Sequence, residues 1–318
     1  MTHKENMYEM FRGGKPEFLP ASFTAENISD MASGLADHPW TDGMDAFGVE
    51  WVKTPEGVIS KPGEYLFEDI SEWRKYVHFP DVDSLGLEKA AEQELQMFEP
   101  DLFTVILSST GPFERLVAFM GFENTLMALA EDPEECKAFF DAVADYKIAV
   151  HNRIIDLYHP DSIVMFDDIA TARGLFMSPD TWRELLKPGL KRIVDAVRAR
   201  GVCYGQHTCG KCESVIDDYV EIGVQLWHSA QCMNDLQGIM EKYKGKLIVE
   251  GGWDTSGPAS FESAADEEIV EETKRCLREY GKYDNFIFFP SIVNSDEEES
   301  FRRIMLAIGV WEEEQAKA

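Results

Sequence analysis

His207, Thr208 and Cys209 stand just past a short β-prone run, 202–206, which follows a helical stretch ending at Gly201. Side chains two apart on extended backbone share a face. One imidazole and one thiolate are therefore presented together, and that pairing suits Zn²⁺. Three more ligand-type side chains lie close by. Cys212 completes Cys-x-x-Cys spacing with Cys209, and His228 and Cys232 follow the next predicted strand. Cys212 falls where another helix begins, a place that favours thiolate.

Carboxylates mark two other predicted strand ends. Asp167 and Asp168 follow the run 162–166. Neighbouring side chains point to opposite faces, so at most one of the two points inward, to hold a substrate amine or act as a base. The other role open to them is a turn or helix cap. Glu250 and Asp254 flank Gly251-Gly252, where missing side chains let a ligand approach the backbone. Asp254 could equally cap the segment that follows. The acidic run 296–299 opens a helix and needs only the helix dipole to explain it.

The elements that must position these residues alternate regularly. Strand-like runs at 103–108, 162–166, 202–206, 224–227, 247–250 and 286–289 are separated by amphipathic helical stretches. Ser178-Pro179 opens one helix with a capping hydroxyl and proline, and Lys187-Pro188 should kink or split it. Upstream, 18–23 and 46–51 read as extended pieces with a helical stretch at 27–38 between them. Six βα units plus two upstream strands give eight, the number that closes a (β/α)8 barrel. A doubly wound sheet is the rival, but no Gly-x-Gly-x-x-Gly follows any strand. With no linker in view, residues 1–318 read as one barrel domain with an N-terminal elaboration.

Composition narrows the partners. Acidic residues outnumber basic ones 59 to 30, a formal net charge of −29. That excludes nucleic acid and anionic membrane surfaces, because nothing neutralises phosphate. Four of the six cysteines fall within thirty residues, as for metal or thiol chemistry rather than a secreted disulfide scaffold. The N-terminus lacks an apolar signal core and no run reaches membrane-span length, so a cytoplasmic location is expected.

Met165-Phe166-Asp167-Asp168, Gly174-Leu175-Phe176-Met177-Ser178-Pro179-Asp180-Thr181-Trp182, Leu186-Lys187-Pro188 and Ile216-Asp217-Asp218-Tyr219-Val220-Glu221-Ile222-Gly223-Val224 together resemble the uroporphyrinogen decarboxylase superfamily. The likeness covers roughly residues 100–310 and implies a (β/α)8 barrel. The decarboxylases proper carry an arginine-rich segment that grips porphyrinogen carboxylates. The matching stretch here, residues 16–23, has no arginine, and a strongly acidic protein is a poor host for an eight-carboxylate substrate. The other branch comprises cobalamin-dependent methyltransferases, which carry His-x-Cys-Gly as a zinc site, and His207, Cys209 and Gly210 match it.

The resemblance therefore implies zinc-dependent methyl transfer between a corrinoid protein and a thiol or methoxylated small molecule. The corrinoid would arrive on a partner protein, since no cobalamin-binding Asp-x-His-x-x-Gly segment occurs here. Such methyltransferases supply a further cysteine after the last strand, whereas residues 289–294 offer Ser291, and the acidic ligand after the preceding strand is missing near 230–231. Either Cys232, His228 or Cys212 then completes the site, or the metal is weak or absent. Cys232 is the expected third ligand, being soft and ionisable. Asp168 is the expected catalytic group, with Asp167, Glu250 and Asp254 at the substrate. The alternatives are a metal-free decarboxylase of the same superfamily and a barrel that only binds a small molecule.

Overall fold

The computed structural model describes residues 1–54, 57–292 and 295–317. Seven parallel strands lie side by side in chain order: β1 (Glu26–Ser29), β2 (Phe103–Ser108), β3 (Ser162–Phe166), β4 (Cys203–His207), β5 (Leu226–Ala230), β6 (Ile248–Gly252) and β7 (Phe286–Phe289). Residues 20–22 close the circle against β7. The Ser22 amide donates to the Phe288 carbonyl and the Phe288 amide to the Pro20 carbonyl, each at 3.0 Å, and Ala21 pairs with Phe288 in parallel. The sheet thus curls into the expected (β/α)8 barrel.

Two upstream expectations are corrected. The stretch 27–38 is helical only over Met31–Ala36, and its first residues belong to β1. Ladder bonds to β2 hold them extended, and buried side-chain bonds from Asn27 to the Glu99 carbonyl (2.9 Å) and from Ser29 to Glu94 (2.7 Å) fix them there. Tertiary contacts outweigh helix propensity in so short a segment. The run 46–51 supplies no barrel strand. The Asp45 carboxylate accepts from the Phe47 and Val49 amides, turning the chain, and Glu50–Thr54 joins an outlying antiparallel sheet with 43–44 and 57–60. The helix at 179–199 does split, into Pro179–Leu185 and Lys187–Ala199, with Ser178 capping the first piece.

Alternation along each strand sorts the barrel interior into two layers. The lower layer is apolar: Phe103, Val105, Val164, Cys203, Leu226, Ile248 and Ile287, sealed below by Met7 and Met10 of the helix His3–Phe11. Inward positions nearer the strands' C-terminal ends carry Phe166, His207, His228, Glu250 and Phe289. Gly205 lies between the layers. A Cβ there would stand 2.9 Å from Val164 Cγ2 and 3.0 Å from Leu226 Cδ2, so a side chain would have to displace one of them. The outer strand faces pack against the helices in a larger core that buries Trp182, Trp227, Trp253 and Trp311 completely. Each large apolar side chain so buried contributes roughly 1.5–3 kcal/mol.

The segment from Asp30 to Asp45 reaches over the upper end of the barrel and is anchored by two buried ion pairs. Lys147 pairs with Asp37, and Arg115 donates to Asp45 at 2.7 Å and to the Asp37 carbonyl at 2.7 Å. Among the described residues no helix is long and apolar enough to cross a membrane.

Candidate metal-binding site

His207 is the last residue of β4. Its ring stacks on Phe166, with centroids 3.9 Å apart and planes 8° from parallel. Its Nδ1 lies 2.7 Å from His228 Nδ1, a hydrogen bond that needs one ring to donate and the other to accept. This partner orients the ring and leaves Nε2 facing Cys209 Sγ at 3.3 Å and Asp168 Oδ1 at 3.7 Å. The ligand atoms of Asp168, His207 and Cys209 all lie within 4.8 Å of one another.

The loop carrying Cys209 is fixed from several sides. The Cys209 amide donates to Asp168 Oδ1 at 2.7 Å, the Gly210 amide to Gln231 Oε1 at 2.8 Å, and Asn234 Nδ2 to the Gly210 carbonyl at 2.9 Å. Gly210 has φ +81°, and a Cβ on it would lie 2.7 Å from the Thr171 carbonyl oxygen. Only glycine fits this tight passage at a positive φ without strain.

Burial sets the electrostatics. It lowers the pKa of both His207 and His228, keeping the rings neutral. It pushes the Cys209 thiol up, with Asp168 and Glu114 adding to the rise. Asp168 is raised by burial, and Glu114 by burial and then by Asp168 and Asp167. Thiol, imidazole and carboxylates thus converge with no cationic side chain among them in the described residues, an arrangement that a divalent cation would stabilise by favouring thiolate, carboxylate and neutral imidazole. One nitrogen, one sulfur and one oxygen donor, with a second residue orienting the imidazole, fit Zn²⁺ with a position left open.

Beside this trio lies a cavity of about 310 Å³ at the strands' C-terminal ends. Its walls include Phe23, Trp40, Phe166 and Phe289, its floor Val105 and Val164, and it is also lined by His207, Cys209, His228, Glu26, Glu250 and Ser291. Among the described residues lining it there is no lysine or arginine.

The other predicted residues separate. Asp167 accepts from the Phe113 and Glu114 amides at 3.3 and 3.0 Å, capping the helix Pro112–Met120, and its carboxyl is pushed up to about 7, chiefly by burial. Glu250 lines the cavity and accepts from Ser22 Oγ. Asp254 is engaged in its own turn, accepting from the Ser256 amide at 3.0 Å. Cys212 is completely buried in the outer core. Cys232 is not brought to the trio: its Sγ donates to the Gly252 carbonyl at 3.0 Å and approaches Arg275 at 3.5 Å. Asp168, not Cys232, stands with His207 and Cys209. Residues 293 and 294 of the stretch after β7 lie outside the described residues.

Sequence reasoning missed Glu26 and Glu114. Glu114 stands on the first turn of a helix, where an acidic residue is unremarkable. Glu26 sits in a strand whose existence the sequence hid.

Cys232→Ala is accordingly expected to retain full metal occupancy by elemental analysis, and Asp168→Ala to lose most of it. Equal retention by both variants would remove Asp168 from the ligand set.

The strand order and site define a (β/α)8 barrel with its polar groups gathered at the strands' C-terminal ends. The model of the uroporphyrinogen decarboxylase (URO-D) family matches residues 43–292, and the chain belongs to that family. Among solved structures it is similar to a methyltransferase from Methanosarcina mazei, with 14% identity, a TM-score of 0.68 and coverage of 98% of this chain and 99% of that one. An L-ribulose 3-epimerase (14% identity, TM-score 0.41, covering 76% and 84%) and a GH113 β-1,4-mannanase (11%, 0.44, 98% and 91%) are more distant. No curated protein matches the sequence.

Proposed function

We propose that the protein is a zinc-dependent methyltransferase that moves a methyl group between a corrinoid, carried by a partner protein, and a thiol or methoxylated small molecule. The observation that carries the reading is the convergence of Asp168, His207 and Cys209 beside a largely apolar cavity. Zn²⁺ held by these three would act as a Lewis acid, binding a thiol as thiolate or polarising a methoxy oxygen. His228 holds the His207 ring so that Nε2 faces the other two donors. Asp168 also accepts the Cys209 amide, which fixes the loop, and its second oxygen can take a proton. The aromatic walls would pack against the apolar part of a small molecule, and Cys209 lines the same cavity. A porphyrinogen or other polycarboxylate would meet Glu26 and Glu250 with no lysine or arginine in the lining to answer it, which disfavours the decarboxylase alternative.

The test is methyl transfer with free methylcobalamin replacing the corrinoid protein. Thiol-dependent demethylation, or methylcobalamin formation from a methoxylated compound and reduced cobalamin, is expected and can be followed by visible absorbance. It should be lost on chelation and restored by zinc. Absence of turnover in both directions across a panel of thiols and methoxylated compounds would reject the assignment.

A further inference from the structure

The cavity holds two carboxylates that the methyl-transfer chemistry does not use. Glu26 on β1 and Glu250 on β6 both line it, at 6% and 5% exposure. Glu250 is engaged by Ser22 Oγ. The Glu26 carboxylate has neither a hydrogen bond nor an ion pair among the described residues, and the charged group acting on it is the like-charged Glu250. A buried carboxylate without a partner is costly, and a second one facing it adds repulsion. No third donor gathers with them as a metal site would require, since the trio at Asp168 is the one such cluster among the described residues. What surrounds the pair is aromatic: Trp40 meets Phe166 edge-on at 6.4 Å, and Phe23 stacks on Phe289 at 5.6 Å. Aromatic faces beside desolvated carboxylates recognise an organic cation, the rings by cation–π attraction and the carboxylates by charge-assisted hydrogen bonds.

We propose that the small molecule bound in this cavity is an organic ammonium compound, its N–H groups donating to Glu26 and Glu250 and its apolar part lying against the aromatic walls. This names the substrate class for the methyl-transfer reading above and rests on it. An N–H-bearing ammonium fits better than a quaternary one, because the Glu26 carboxylate lacks a hydrogen-bond donor and a quaternary nitrogen has none to give. Asp30 at the mouth adds a third acidic group along the way in.

A charge series of nearly constant shape tests the proposal by calorimetry on the purified protein: benzylammonium, benzyl alcohol and benzoate. Benzylammonium is expected to bind at least tenfold tighter than the alcohol, with benzoate not bound. Glu26→Gln and Glu250→Gln should each erase most of that preference, while Glu267→Gln on an exposed helix face should leave it intact. Glu26→Gln is isosteric and relieves the repulsion, so its melting temperature should equal or exceed that of the wild type. If it misfolds instead, Glu250→Gln still decides. Alcohol or benzoate binding as tightly as benzylammonium would overturn the inference, as would a preference that survives both substitutions. Binding is read here without turnover. A protein that prefers benzylammonium yet never exchanges methyl groups with cobalamin has an ammonium site but not the proposed reaction. Active methyl transfer without the preference removes the ammonium site alone.

Discussion

Cys209→Ser and His207→Ala are each expected to lose bound zinc and to reduce methyl transfer at least a hundredfold, while leaving the barrel folded. The size follows from the donor set. Disturbing a residue that merely orients a ligand costs about 10- to 100-fold in metal affinity or activity, and these substitutions would remove the proposed ligand atoms themselves. Serine is the informative replacement at 209 because its hydroxyl keeps nearly the same shape but stays protonated. Folding should survive because both side chains border the cavity and Gly210, Gln231 and Asn234 hold the loop independently of the sulfur. His228→Ala should fall between these variants and wild type, since His228 lies outside the trio and orients the His207 ring. Zinc content and rate measured on all four proteins check the ordering. A Cys209→Ser protein with wild-type zinc and rate would separate the thiol from the chemistry.

Lys147→Ala is expected to be the most destabilising single change outside the apolar core, by about 3–5 kcal/mol. Lys147 and Asp37 are each 1% exposed, and Lys147 Nζ also donates to Ser108 Oγ at 3.1 Å. Burial lowers the lysine pKa, and the Asp37 carboxylate beside it opposes that shift. Removing the cation strands the Asp37 carboxylate in the interior. Replacing both residues by apolar ones, Asp37→Leu with Lys147→Met, should recover much of the loss, because a buried pair is close to neutral against a hydrophobic substitute. Denaturant unfolding of both proteins measures this. A loss below about 1 kcal/mol for Lys147→Ala would mean that the pair is solvated. The consequence reaches the site, since Asp37 belongs to the segment that brings Asp30 and Trp40 over the cavity.

What was legible in the sequence was local. Six strands after residue 100 announced themselves by alternation with amphipathic helices, and Ser178 and Lys187-Pro188 marked the helix start and its break. The proximity of His207 and Cys209 followed from a two-residue spacing. What was not legible depended on neighbours in space. β1 is four residues long, too short for its period to show beside the helix that follows, and only its pairing with β2 makes it a strand. Asp168 joins His207 because β3 and β4 are adjacent, with Phe166 opposite His207. Cys232 was expected at the site because it follows the next strand. The ladder between β5 and β6 shifts register between Trp227 and Ala230, and such an irregularity re-aims the side chains beyond it. Cys232 then turns toward Gly252 and Arg275. Glu26 shows the same limit, since a lone glutamate in an unassigned stretch carries no sign that it will face a second carboxylate inside a barrel.

The central claim is a zinc site built from Asp168, His207 and Cys209. X-ray absorption at the zinc edge, on protein produced in zinc-supplemented medium and with metal content determined on the same sample, tests it most directly. One zinc per chain is predicted, with a single sulfur at about 2.3 Å and nitrogen or oxygen donors at about 2.0–2.2 Å, the sulfur shell disappearing in Cys209→Ser and persisting in Cys232→Ala. Protein that takes up no zinc, or a sulfur shell that depends on Cys232 instead, would contradict it.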